Sequence, residues 1–263
     1  MNGISLYFQL AWVSIRAQMQ YRINFLLLVI GNFCSSCIEF LGVWAFFHRF
    51  GQLGSWTLPE VGVFYGIVNI AFALSEMFAR GFDIFQNHVR NGDFDRVLLR
   101  PRAASLQVLG GECQIMRIGR LLQGVMILLW SCAHLSLAWD VTHWFLLLEA
   151  VSGGALLFTG IAMMQATSCF WTVQSLEIWN TMTYGGVYAT QYPMDIYRGF
   201  LRKFFTGVVP LAAINYWPCA YLLGRSYVPV VVSFLSPLLG VVFLLLGLAC
   251  WRVGVRHYCS TGS

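Results

Sequence analysis

The sequence predicts an all-α polytopic membrane protein, and three observations carry that expectation. Hydrophobic residues make up 58% of the 263-residue chain and charged residues only 10%, whereas a soluble domain has about 25% charged residues to cover its wetted surface. The mean hydropathy is +0.68. The apolar residues also fall in runs near the ~20 residues that a helix needs to cross a bilayer. The length leaves room for roughly six such spans and their connections. A single transmembrane domain over residues 1–263 therefore uses up the chain.

The elements follow in order. Over residues 4–22, Ser5, Gln9, Arg16 and Gln20 share one helical stripe and Leu6, Leu10, Val13 and Ala17 another. That pattern predicts an amphipathic helix lying in the membrane interface, where the aromatic Trp12 is also at home. The apolar run over residues 23–47 starts late, is too long for a signal-peptide core and lacks a small-residue cleavage site, so it reads as a retained first span. A short turn-rich linker with His48, Gly51, Gly54 and Ser55 leads to a second span over residues 59–79. The third span is expected at 118–138 and the fourth at 144–170, with Asp140 and His143 marking the turn between them. A fifth run, 171–192, is interrupted by Glu177 and Asn180, and the last covers 230–251. No internal repeat, heptad run or low-complexity tract stands out.

Orientation follows from arginine. Lys203 is the only lysine among 16 cations. With an inside N-terminus and six spans, Arg16, Arg22, Arg80, Arg90, Arg96, Arg100, Arg102, Arg117, Arg120, Arg252 and Arg256 fall on the cytosolic side, 11 of the 16. That is the positive-inside bias, with both termini cytosolic. A mostly apolar chain offers no solvated basic face for nucleic acid. The exceptions are Arg198, Arg202, Lys203 and Arg225, in residues 193–228. Either that segment is cytosolic and the spans differ, or it is a pair of short re-entrant helices. Pro193, Pro210, Pro218 and Pro229 cut it into pieces too short to cross, which favours the second.

The stretch NGDFDRVLLRPR, residues 91–102, concentrates charge between two apolar runs. Within the connection 80–102, Phe82, Phe85 and Val89 share one face, with Asp83, Gln86 and Arg90 opposite. Asn91-Gly92 is a turn signal. Asp93 then caps a second short helix with Phe94, Val97 and Leu98 on one face, and Pro101 ends it. The simplest reading is a positive-inside loop on anionic headgroups. The sharper one is a docking element for a cytosolic partner, because an anchor needs no capped, proline-terminated helix.

In the first span Asn32, Ser35, Ser36 and Glu39 lie along one face, and in the second Asn69 and Glu76 share a face. These are candidates for a translocation path or a subunit seam; the competing reading is satisfied interhelical contacts, with Glu39 paired to an arginine from 198–203. Glu76 is expected near enough to the cytosol to be hydrated, and Gln165 and Glu177 to flank a cytosolic turn. His48, His88, His134, His143 and His257 are scattered, with no metal-site spacing and no GxSxG nucleophile elbow. Cys34 and Cys37 form a lone CxxC without the partner ligands that zinc requires; they and Cys132, Cys169 and Cys250 read as small hydrophobes. No catalytic, metal or cofactor site is expected.

Two stretches carry a resemblance. GxxDRVLLRPR, with Gly92, Asp95, Arg96, Leu98, Leu99, Arg100 and Pro101, resembles the intracellular loop of type-2 ABC exporter permeases, in particular a small bacterial subfamily of ABC transport system permeases. The segment YPMDIYRGFLRKFFTGVVPLAAINYWPCAYLLG, residues 192–224, resembles that subfamily's "YP…Y…LR…VIP…YYP…LLG" region. The resemblance implies an N-terminal elbow helix (4–22), six spans, a coupling helix between spans two and three, and re-entrant helices (193–228) between spans five and six. It implies a non-catalytic permease in a bacterial cytoplasmic membrane, paired with a second permease, a related chain or a second copy. It also implies that Asp93, Phe94, Asp95, Arg96, Val97, Leu98, Leu99, Arg100 and Pro101 couple to ABC ATPase subunits. The chain has no GxxxxGK[ST] motif to cradle nucleotide phosphates, so ATP and Mg would be bound by that partner. The alternative is an integral-membrane enzyme or an ATP-independent carrier.

Overall fold

The computed structural model describes residues 3–137, 139–172, 177–225 and 227–259. The end of the third expected span (138), residues 173–176 of the fifth run and residue 226 lie outside the described residues. Helices follow one another as α1 (Gly3–Met19), α2 (Arg22–Phe50), α3 (Leu58–Asp83), α4 (Phe85–Arg90), α5 (Asp93–Leu98), α6 (Ala104–Gly111), α7 (Ile118–His134), α8 (Val141–Thr172), α9 (Glu177–Thr190), α10 (Phe200–Lys203), α11 (Leu211–Ile214), α12 (Tyr216–Leu222), α13 (Val230–Leu235) and α14 (Leu239–His257). Among the described residues the one β feature is an isolated bridge between Leu53 and Trp56.

Among the described residues five stretches are long and apolar enough to cross a bilayer: Arg22–Phe50, Leu58–Arg90, Ile115–His134, Val141–Thr172 and Val230–His257. This differs from the six expected. Among the described residues of the fifth run, α9 has 14 residues, about 21 Å at 1.5 Å per residue and short of a ~30 Å core. Its polar positions, among them Glu177, Asn180, Thr181 and Thr183, explain the shortfall in apolar length. The chain nevertheless travels the length of α3 here. Tyr184 packs on Phe72, Asn215 bridges Thr190 to Phe64, and Asp195 accepts from Trp56 Nε1 at 3.0 Å.

Helix ends follow local chemistry. Thr57 and Glu60 form a capping box at the start of α3, satisfying free amides that a helix N-terminus leaves. Asp140 accepts the His143 amide at 3.0 Å; the His143 amide and ring hold its carboxyl below the usual range. The last span is not one uniform helix: it tightens to a 3-10 turn at Ser236–Leu238 around Pro237, which cannot donate in a helical ladder. In residues 193–228, Pro193, Pro210 and Pro229 sit at helix N-caps, so they start the short helices there instead of merely breaking them. Arg225, one of the four exceptional cations, is accounted for by structure: it bonds Glu60 at 3.1 Å and the Ser55 carbonyl at 2.9 Å and stacks over Trp56.

Helix pairs meet through glycine. Lipid tails supply no hydrophobic drive between helices, so close backbone approach does the holding. Gly62, Gly66 and Gly124 let α3 and α7 touch: a Cβ on Gly66 would lie 2.7 Å from Leu128 Cβ. Between α8 and α14 the contacts recur every seven residues. Gly153 faces Gly240 and Pro237, Gly160 faces Phe243 and Gly247, and Gly254 faces Thr167 and Phe170. This seven-residue spacing is a repeat that the sequence reading passed over, because it is carried by glycine and not by apolar bulk.

Adding side chains at these contacts tests the seam. Gly160→Leu, whose Cβ would start 2.5 Å from the Phe243 carbonyl oxygen, should destabilise the protein by about 3 kcal/mol or more. Gly42→Ala, with nothing within 4 Å, should leave the thermal unfolding midpoint in detergent unchanged. Equal midpoints for the two variants would overturn the seam.

Candidate functional site

At one end of the bundle lies the connection between α3 and α7. Phe82, Phe85 and Val89 share one face, as their spacing predicts, and that face turns inward and is buried. Gly92 takes φ = 70°, a left-handed turn that glycine adopts without strain, and occupies the cap position of α5. Asp93 is therefore not the cap; it lies in the first turn, where a negative charge favours the helix dipole. Its pairing with Arg96 at 3.7 Å is exposed and contributes little. Helix α5 stops at Leu98, three residues before Pro101. Gln107, unsuspected from sequence, donates to the Val97 and Arg102 carbonyls, both at 3.1 Å, and pins the stretch that follows α5.

Phe94 differs most from expectation. It is 0% exposed, with its ring 5.0 Å from those of Phe85 and Tyr258, 5.4 Å from Phe170 and 6.0 Å from Trp251. Val97 is partly buried against the same cluster. The face expected to fill a partner's groove is thus split. Leu98 is 41% and Leu99 84% exposed, and Arg96, Arg100 and Pro101 are exposed beside them; Asp93 and Asp95 are half-buried. Helix α1 braces this end. The Cys113 amide donates to Ser14 Oγ at 3.1 Å, and Gln18 donates to the Cys113 carbonyl. The packed stripe is Tyr7, Ala11, Ser14 and Gln18, while Phe8, Trp12 and Val13 are exposed. The contact face is thus rotated from the apolar stripe read in the sequence.

Deeper along the bundle lies a cluster of ionised side chains. Glu76 does not lie at the solvent-facing surface; it is 6% exposed. Its carboxylate meets Arg117 at 3.2 Å, Arg80 at 3.5 Å and Arg120 at 3.7 Å, and the Tyr184 hydroxyl donates to it at 3.3 Å. Arg120 also reaches Glu39 at 3.4 Å, and the Tyr188 hydroxyl donates to Glu39 at 3.4 Å. Arg80 pairs with Asp83, which accepts from the buried Gln165 at 3.3 Å. Three carboxylates thus balance three guanidiniums, beside a cavity of about 20 Å³ lined by Ser75, Glu76, Arg80, Asp83, Thr183 and Tyr184.

The candidate path residues divide over this geometry. Asn32 accepts from Arg117 at 3.2 Å, and Glu39 pairs with Arg120, not with residues 198–203. Ser36 is buried, its carbonyl accepting from Tyr65 and Gln123, both at 3.1 Å. Ser35 is exposed. Asn69 is fully buried where α3 meets Gly124 of α7 and donates to the Tyr65 carbonyl within its own helix at 2.9 Å. Arg80, Asp83, Arg117, Arg120, Gln165, Tyr184 and Tyr188 were missed as members. A signal existed: Arg117 and Arg120 share one turn at the head of a span, and they were counted only as orienting charges. Glu177 is exposed and accepts from Asn180. Among the described residues no group of three or more His, Cys, Asp or Glu is arranged to hold a metal ion.

A sequence model described as ABC-2 family transporter protein matches residues 33–262. No curated protein and no solved structure matches the chain.

Removing one member of a buried ion cluster strands its partners, at a cost of about 3–5 kcal/mol. Glu76→Ala should lower thermal stability by that order, while Glu177→Ala, at an exposed position, should change it by less than about 0.5 kcal/mol. Wild-type stability in Glu76→Ala would remove the cluster's structural role.

Proposed function

The chain belongs to the ABC-2 transporter family, and we propose that it is the translocating permease of an exporter, driven by separate ATPase subunits that dock on residues 93–101. As a multi-pass permease component of an ABC transporter it works at the membrane alongside ATP-hydrolysing chains. The observation that carries the docking proposal is the split of α5: one side is cemented into the chain by Phe94, and the other presents Leu98 and Leu99 with Arg96 and Arg100 around them. A partner's groove would take the leucines, and the arginines and Asp95 would set register through rim charges worth up to about 1 kcal/mol each. ATP and Mg belong to that partner.

The same end gathers α1, the connection 80–117 and the end of α14, and with them nine of the 11 cations counted above; Arg22 opens α2 and Arg120 lies in the first turn of α7. This supports a cytosolic placement for it and for both termini, in the cytoplasmic membrane of a bacterium. α1 serves as the interfacial elbow, with Phe8, Trp12 and Val13 toward lipid. Residues 193–225, which reach Trp56 through Asp195, Tyr216 and Arg225 at the opposite end, belong to the segment 193–228 that serves as the re-entrant pair. A second permease, a related chain or another copy, would cover the outward side of α2, whose buried residues are only Ser36, Val43 and Phe47. Asn32, Ser35 and Glu39 would then line the seam, where substrate passes.

Leu98→Asp and Leu99→Asp should each reduce recovery of the ATPase subunit on co-purification. Each should also lower stimulated ATP hydrolysis by at least about tenfold, as for loss of an interface hot spot, while membrane insertion survives. Full recovery and full stimulation in both variants would defeat the docking role.

A further inference from the structure

The inner side of α5 suggests a second role within this proposed coupling, and the inference rests on that reading. Phe94 touches Phe85 from α4, Phe170 from the end of α8, Trp251 from α14 and Tyr258 just beyond α14. The rings of Phe170 and Trp251 are themselves 5.3 Å apart, and Phe82 and Phe85 complete the packing around Trp251. The direct chain path from this connection into α3 is different. It runs through Ala79, where φ = −122° and ψ = 15° interrupt the helix. A break of this kind absorbs rotation, as hinges at element ends do.

We infer that Phe94 is a positioning residue: an aromatic clamp that passes displacement of α5 into α8 and α14 together, instead of up α3. Close-packed interiors compress little and so hand motion on. At the clamp Gly254 lies against Phe170, and above it Gly160, Gly240 and Gly247 hold α8 against α14 with no room for a Cβ, so the two helices move as one body. The clamp faces away from the docking surface, which separates the two functions within one six-residue helix. Tyr258 contributes from outside the loop, so the clamp is open to test from either side.

The test uses the full-length chain with its ATPase subunit in proteoliposomes. Phe94→Ala and Tyr258→Ala should both retain the ATPase on co-purification, yet both should lose stimulation of hydrolysis by about tenfold, the scale of a coupling free energy. Phe94→Leu should recover most of it. If Phe94→Ala fails to fold, Tyr258→Ala decides alone: retained ATPase with lost stimulation supports the clamp, and wild-type stimulation overturns it. Loss of the ATPase itself in Phe94→Ala, with Tyr258→Ala normal, overturns the clamp in favour of direct docking by Phe94. A wild-type chain that retains no ATPase overturns the underlying reading instead.

Discussion

A carboxylate removed from water must be neutralised or paired, and Glu76 sets the arrangement of the helices around it. A charged side chain at bilayer depth costs roughly 2.5–3.5 kcal/mol on insertion scales, and Glu76 has little access to solvent to relieve it. Its partners come from α3 itself (Arg80), from the turn that leads into α7 (Arg117), from α7 (Arg120) and from α9 (Tyr184). Arg117 and Arg120 in turn reach Asn32 and Glu39 on α2. Buried ion pairs are poor evidence for stability, since desolvation offsets much of the attraction. They are better read as register: a slip of one turn in α7 would strand an arginine and a carboxylate at once.

Glycine does the complementary work where no charge is present. The α8–α14 seam and the α3–α7 contact rely on backbones meeting without side chains between them, which is how helices associate when lipid competes equally well for apolar bulk. The bundle therefore has two kinds of joint. The α8–α14 joint is tight and featureless, suited to helices that stay together. The polar joint among α2, α3, α7 and α9 is built from long side chains that tolerate adjustment of a few tenths of an ångström while remaining paired.

Much of this was legible in the sequence, and the failures have physical causes. The long apolar runs and the two short helices around Asn91-Gly92 follow from hydropathy and turn chemistry, which are local. That Phe82, Phe85 and Val89 share one face followed from spacing; that the face turns inward is decided by the rest of the chain. Phe94 was read as outward because spacing defines a face but not which side of it the rest of the chain occupies; that side is decided by Phe170, Trp251 and Tyr258, far away in sequence. Glu76 was read as hydrated because its depth was judged from one helix, while Arg117 and Arg120 come from another. The fifth expected span is shorter among the described residues because its helix α9 carries polar residues, exposed at Glu177 and Thr181 and buried at Thr183 and Thr190. In each case the missing information is the identity of the neighbour.

The two sides of α5 show why so short a helix suits a mechanical role. Six residues are too few to hold a helix in water on their own, since nucleation is costly and isolated helices need about 12–15 residues to be even marginal. Here the geometry is imposed from beneath by the ring cluster and from behind by Gln107. A partner meeting Leu98 and Leu99 then encounters a preformed surface and spares the ordering cost that a flexible loop imposes on binding. On the proposed coupling, the same rigidity would carry work done on the leucines to the helix ends that Phe94 touches instead of losing it in bending the loop. A surface helix without a buried ring could bind, but it would transmit little; a buried helix without exposed leucines would have nothing to receive.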